Sequence, residues 1–356
     1  MYFDSKTFNP KAFGHYVDRI PNVTKNELAR SSAIGTNEQA AKALSNQTGS
    51  LYTTIPYFGR IDGSTSQNND GATDITSSST TTFSQGFIVA SRMDGWTERS
   101  FSKSITAGVD FMDNVAKQIA DYKMEVKQSM ILAMLKGIFS MTTTGSTTRE
   151  QAAKEFIDKH THDLSGKTGQ EAEVNAASLN RAIQQACGDN KNIFKLVIMH
   201  SEVATNLENM KLLKYMTQTD SHGIERELSL GTWNGRLVLI DDNMPVDETK
   251  GRAALGSPTY TTYILGENSL ILDSIGDPNP YEIYRKPEVN GGTDYLFVRD
   301  RFICGVDGIS FERPVSLTAS ASNADLANGA NWAVINDGTK AIPHKSIAIA
   351  RILSKG

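Results

Sequence analysis

The chain is poor in the residues that most often advertise chemistry. Two cysteines in 356 residues, Cys187 and Cys304, exclude a disulfide scaffold and a cysteine-based zinc module. There are only six histidines, scattered along the chain. Positive charge is not in excess: 36 Lys and Arg stand against 40 Asp and Glu, a net −4, which argues against an electrostatic nucleic-acid binder. No apolar run reaches the roughly 18 residues a membrane-spanning helix requires. The first residues, Met1-Tyr-Phe-Asp-Ser-Lys6, lack the basic start and apolar core of a signal peptide. A chain that folds where it is made, in a reducing cytoplasm or in something assembled there, is the expectation.

Catalytic patterns are missing too. There is no Gly-x-Ser-x-Gly elbow, no His-Glu-x-x-His and no Gly-x-Gly-x-x-Gly. Gly166-Lys167-Thr168 resembles the end of a phosphate loop, but the glycine such a loop needs at position 161 is Thr161. His160-Thr-His162-Asp163 follows a predicted helix in a polar stretch and reads as a solvated loop, not a metal clamp. Asp241-Asp242 reads as a capped strand end, and Cys304, inside an apolar run, as an inert core thiol. No catalytic, cofactor or metal-binding residue is assigned, and no enzymatic activity is expected.

What is present is an unusual order of segments. With 39% hydrophobic and 21% charged residues the chain is globular, and its length suggests two domains. Residues 1–50 are polar, with one short helix predicted near 36–44. Eleven of the 21 residues in 62–82 are Ser or Thr, and only Ala72 and Ile75 are apolar, so burial cannot offset the cost of ordering this stretch. Two strand-like arms follow, 82–90 and 96–101, with Asp94-Gly95 as a turn between them. We read 51–104 as a long extended excursion. A long amphipathic helix is predicted over 109–136, with Val109, Met112, Ala116, Ile119, Val126, Met130 and Ala133 on one face, Lys123 interrupting it, and Gly137 as the stop. Shorter helices are predicted at 149–160, 175–186 and 201–213. Strands are predicted at 193–199, 236–240, 260–265, 269–273, 281–285, 295–304, 309–312 and 346–353, with 314–338 as loop. The class is α+β.

This order, a polar arm, an extended excursion, one very long helix and a mixed domain ending in strands, resembles a tailed-bacteriophage major capsid protein of the Hong Kong 97 type. The stretches that carry the resemblance are Asp94-Gly-Trp-Thr-Glu-Arg-Ser100, the helix from Ile119 to Gly137, Val197-Ile-Met-His-Ser-Glu-Val-Ala204, Gly235-Arg-Leu-Val-Leu-Ile-Asp-Asp-Asn-Met-Pro245, Asn331-Trp-Ala-Val334 and Lys345-Ser-Ile-Ala-Ile-Ala-Arg-Ile-Leu353. The resemblance implies an N-arm at 1–50, an E-loop at 51–104, a peripheral domain at 105–190 carrying the spine helix, an axial domain at 191–290, and the C-terminal part of the peripheral domain at 291–356. It implies assembly of copies into hexamers and pentamers of an icosahedral head around double-stranded DNA, in a virion built in the bacterial cytoplasm.

On the same ground the E-loop residues Phe83, Phe87, Arg92, Trp96, Glu98 and Arg99 are candidate intersubunit contacts. The implied partners are a separate scaffolding protein, a portal, a decoration protein and packaged DNA held non-specifically; no membrane is implied. No removed leading segment is expected. Some family members weld subunits through an E-loop lysine; no lysine occurs here between Lys42 and Lys103, so a non-covalent shell is expected. An encapsulin, a cellular nanocompartment shell of the same fold, is the alternative. The first hundred residues are expected to find their partners on neighbouring subunits.

Overall fold

The structure is a computed structural model that describes residues 31–45, 51–59, 66–75, 82–99, 111–219, 225–248, 258–317 and 319–356. Among these, the side chains of 45, 98–99, 111–117, 216–219 and 225–230 are not described. The expectations for residues 1–30 and 46–50, for 62–65 and 76–81 of the Ser/Thr-rich stretch, and for 100–110, where the excursion ends and the long helix is expected to start, lie outside the described residues.

In chain order the elements are β1 (Ile34–Gly35), α1 (Glu38–Ser45), β2 (Tyr52–Phe58), β3 (Thr82–Arg99), α2 (Phe111–Ile138), α3 (Thr148–His160), β4 (Thr161–Asp163), α4 (Ser178–Cys187), β5 (Phe194–Met199) and α5 (Ser201–Asn209). They continue with β6 (Leu213–Thr219), β7 (Glu225–Trp233), β8 (Arg236–Ile240), β9 (Val246–Asp247), β10 (Thr259–Gly266), β11 (Leu270–Ser274), β12 (Tyr281–Lys286) and β13 (Thr293–Val306). The last are β14 (Ile309–Phe311), α6 (Asn323–Ala327), β15 (Trp332–Val334) and β16 (Ile349–Ser354).

Two sheets organise them. The first runs β1-β11-β13-β14-β15, with β12 and β3 both on β13 and β2 on β3. The second runs β4-β16-β10-β5-β8-β7-β6, with β9 on β10. Helix α2 lies over the first sheet. Its C-terminal half is buried nearly all round: Met130, Ile131, Met134, Leu135 and Ile138 share one core with Leu196 and Ile198 of the second sheet and Cys304 and Val306 of the first. A second core packs Leu179 and Ile183 of α4 and Val203 and Leu207 of α5 against Phe194 and Val197. Local signals explain the helix starts. Thr147 caps α3 and Glu150 reaches back to the Thr147 amide, a reciprocal capping box that Ser322 and Asp325 repeat at α6.

Several expectations are corrected. Asp94-Gly95 makes no turn; β3 is one strand of 18 residues, paired with β13 from Arg99↔Thr293 to Ile88↔Cys304. Gly95 serves close approach instead, since a Cβ there would stand 3.1 Å from the Phe297 ring. Gly137 does not stop α2, which ends at Ile138; a Cβ at 137 would meet the Leu326 carbonyl at 2.1 Å and the Trp332 indole nitrogen at 2.6 Å. The region 314–338 is not all loop, because α6 and β15 fall in it. Helix α5 ends at Asn209, and the hairpin β6–β7 follows where no strand was expected. His160 is not in a solvated loop but 1% exposed. The sheets also cross the expected domain boundaries: β16 pairs with β10, and β11 and β12 pair with β13.

Candidate assembly surfaces

The extended excursion is built on a hairpin. β2 pairs antiparallel with the first part of β3, from Tyr52↔Ile88 to Phe58↔Thr82, and the tip is described at residues 66–75. The base is anchored firmly. Phe87, Ile88, Val89 and Ala90 are fully buried, and Phe87 packs with Ala40 and Leu44 of α1, Ile55 of β2 and Ile303 of β13. Gln85 is also buried, and its amide donates to the Val306 carbonyl at 2.6 Å. Apolar side chains on both faces make this stretch an interior strand. The expectation that the segment lacks a home in its own chain is thereby corrected for residues 82–99.

Away from the base the hairpin carries large exposed apolar groups. Phe58, where β2 ends, is 77% exposed and Ile75 in the tip 91% exposed. The tip is acidic where it is described: Asp70 caps its own turn, accepting from the Ala72 and Thr73 amides and the Thr73 hydroxyl. Those hydrogen bonds hold the Asp70 carboxyl down at about 2.

The six contact candidates separate on inspection. Phe83 and Phe87 are buried in their own chain, at 7% and 0% exposure, which removes them from any intersubunit surface. Arg92 donates to the Ala321 carbonyl at 2.9 Å and to the Asn323 side chain at 2.7 Å, tying β3 to the start of α6. Trp96 is half-buried and meets Tyr122 of α2 edge-on at 5.7 Å between ring centroids. Glu98 and Arg99 continue the pairing with Asp294 and Thr293; their side chains lie outside the described ones.

The far end of the first sheet forms a three-stranded ribbon, β12-β13-β3, clamped to α2 on one face. Lys123 explains its break in the apolar stripe: its ammonium donates to Asp300 at 3.1 Å and to the Tyr281 hydroxyl at 2.5 Å. Tyr122 donates to Asp94 at 2.9 Å. The other face carries Tyr284, Tyr295 and Phe297, with Tyr295 and Phe297 stacked at 6.1 Å and Lys286 over both tyrosine rings. Met93, 82% exposed, lies across from Arg299 on the same face. Sequence alternation suggested strands here but not which face α2 would cover.

A groove of about 1320 Å³ runs along the outer side of α2, closed by α6 and by the end of β8 with the loop after it. Leu132, Ala133, Leu239 and Pro245 supply apolar walls, and Asp121, Glu125 and Asp241 supply negative charge. Gln128 is 7% exposed within it. Among the described residues no group of three or more His, Cys, Asp or Glu side chains is placed to hold a metal ion. Burial pushes the Cys304 thiol up to about 12 and the Cys187 thiol up to about 11, so neither is a ready nucleophile.

No protein-family model matches the chain. It is similar in sequence to the major capsid protein of Bacillus phage SPP1, with 23% identity over 341 residues and 93% of each chain covered. Among solved structures, the capsid of Ralstonia phage GP4 has the same fold, with a TM-score of 0.50 at 12% identity, covering 86% of this chain and 84% of that one. The capsid asymmetric unit of cyanophage Pam1 aligns with a TM-score of 0.48 at 14% identity, covering 87% and 86%. The encapsulin alternative gains no support from these likenesses. The chain is thus similar from end to end to one phage head protein in sequence, and its α+β fold is that of another phage capsid.

Proposed function

We propose that the β2–β3 hairpin with its tip, residues 51–104, is an extended loop that lies across a neighbouring subunit, and that hexamers and pentamers joined in this way close the head without catalysis by the chain. The observation that carries this reading is the exposure of Phe58 and Ile75, 77% and 91%, on a hairpin whose base is held rigidly. Apolar groups displayed in this way gain most when another molecule covers them. Met93 and the strand end at Trp96, Glu98 and Arg99 extend the same contact, while Phe83 and Phe87 brace it from within. The first sheet with α2 acts as the peripheral domain, α2 being its spine, and the second sheet with α4 and α5 as the axial domain. Residues 1–50 act as an N-arm. A separate scaffolding protein, a portal, a decoration protein and non-specifically held DNA complete the partners. Their support is the resemblance, together with a charge balance compatible with a shell that must release its genome.

The test is assembly of Phe58→Asp and Ile75→Asp variants, followed by electron microscopy and sedimentation. Both are expected to leave the unassembled subunit folded by circular dichroism and to cut particle yield at least tenfold. Normal yields of closed particles from both variants would refute the contact.

A further inference from the structure

The ribbon β12-β13-β3 turns one face to α2, and its other face gathers rings and cations. Tyr295 and Phe297 stand two residues apart on the central strand, so both lie on that face. Tyr284 is directly across from Tyr295 on β12 and is 51% exposed. The Tyr295 and Phe297 rings are nearly parallel, 11° apart, with centroids 6.1 Å apart. Parallel rings at that separation are offset, so neither hides the whole face of the other. Gly95 of β3 lies across from Phe297, and a Cβ there would stand 3.1 and 3.3 Å from two atoms of one ring edge. The Phe297 ring therefore leans across bare backbone, an approach that any side chain at position 95 would crowd.

Cations border the rings. Lys286, two residues from Tyr284, holds its ammonium 5.7 Å from the Tyr284 centroid and 6.0 Å from the Tyr295 centroid. Arg299 and Arg301 continue the alternation of β13 beyond Phe297. Among the described side chains that the three strands turn to this face, Glu282 is the one carboxylate, and it pairs with Arg299 at 2.9 Å. The cationic excess is local, since the chain as a whole carries a net −4.

Unpaired bases present π-faces that stack on aromatic side chains, and cations beside those rings meet the phosphates that join the bases. Duplex DNA offers no such faces along its length, because its bases are stacked on one another. The overall charge argues against binding driven by charge alone; stacking supplies the main attraction here and the cations are local.

We propose that this open face of the ribbon is a stacking platform for single-stranded nucleic acid. The ligand is not packaged duplex, and the platform does not depend on the hairpin contact.

Fluorescence anisotropy on the unassembled full-length subunit tests it, with labelled single strands of about ten nucleotides, within the usual range of site sizes. DNA and RNA strands are both used, and the same DNA sequence is presented as a duplex. Saturable binding of a single strand, at least tenfold tighter than of the duplex, is expected. Tyr284→Ala and Tyr295→Ala should each weaken it at least fivefold. Tyr295→Phe should keep the affinity, because the ring and not the hydroxyl stacks, whereas Tyr295→Leu should behave as alanine does. Lys286→Ala should weaken binding and flatten its salt dependence. Circular dichroism checks each variant; Tyr284, the most exposed of the three rings, serves where a change at 295 unfolds the subunit. No saturable binding up to about 1 mM, a very weak affinity, would overturn the platform. Equal affinity for duplex and single strand would overturn it as well, since charge alone would then suffice. So would Tyr295→Leu with unchanged affinity. Absence of binding together with loss of closed particles in Tyr284→Ala would overturn it in favour of a contact between copies.

Discussion

His160 sits at the end of α3 with its Nδ1 2.5 Å from the Ile349 carbonyl and its Nε2 3.2 Å from Nδ1 of His344. The carbonyl can only accept, so Nδ1 of His160 carries the proton and donates. Burial pushes His160 down to about 4, and burial also lowers His344, against the pull of Glu155. Lys159 and Lys345, close to His344, oppose its protonation. The folded chain therefore holds His160 neutral where the unfolded chain would be protonated. The contribution to stability is whole above the unfolded value of 6.5 and is lost as pH falls from there towards 4, about 3 kcal/mol for a shift of this size. The melting temperature of the unassembled subunit is expected to drop between pH 7 and pH 4.5. His160→Asn, which can still donate to Ile349, should flatten that dependence; an equally steep slope in the variant would show that acid acts elsewhere. Gly137 gives a second prediction at this scale. Helix α2 passes so close to Leu326 and Trp332 that even a methyl group collides with backbone, so Gly137→Ala is expected to cost about 1–3 kcal/mol in chemical denaturation although alanine is the better helix former. Neither role is legible in sequence. A histidine after a helix and a glycine near a helix end have common local explanations, and here long-range packing overrides both.

Among the elements, β3 shows where sequence reading fails. Asp-Gly is a strong turn signal, yet the strand passes straight through it, because twelve consecutive residues from Ile88 to Arg99 pair with β13 and Gly95 makes room for Phe297. Pairing of that length outweighs a local preference worth about 1 kcal/mol. Hydrogen exchange on the unassembled subunit is expected to find the amides of residues 87–90 strongly protected, since both faces of the strand are buried there. Rapid exchange that slows only on assembly would restore the view that this segment depends on its neighbours. By contrast α2 was legible nearly in its bounds, 109–136 expected against Phe111–Ile138 found, although its C-terminal half is buried nearly all round, Gln128 included. The hairpin β6–β7 was missed: its strands lie at the end of the second sheet, where a continuous apolar run is not needed.

For the whole molecule, the proposed assembly without covalent links predicts that mature particles boiled in detergent run as single chains. A ladder of higher bands would contradict it. The absence of lysine between Lys42 and Lys103 supports that prediction. The sequence by itself determined the α+β class, the long helix and the polar stretch of the excursion, since these depend on local period and composition. Only the tertiary structure decided that the hairpin base is core and its outer residues surface, that the C-terminal strand joins the sheet of β5 and β10, and that a groove opens beside α2. Each of these depends on which distant segments meet, and the pairing of residues more than two hundred positions apart, such as Ile88 with Cys304, leaves no mark in a local pattern.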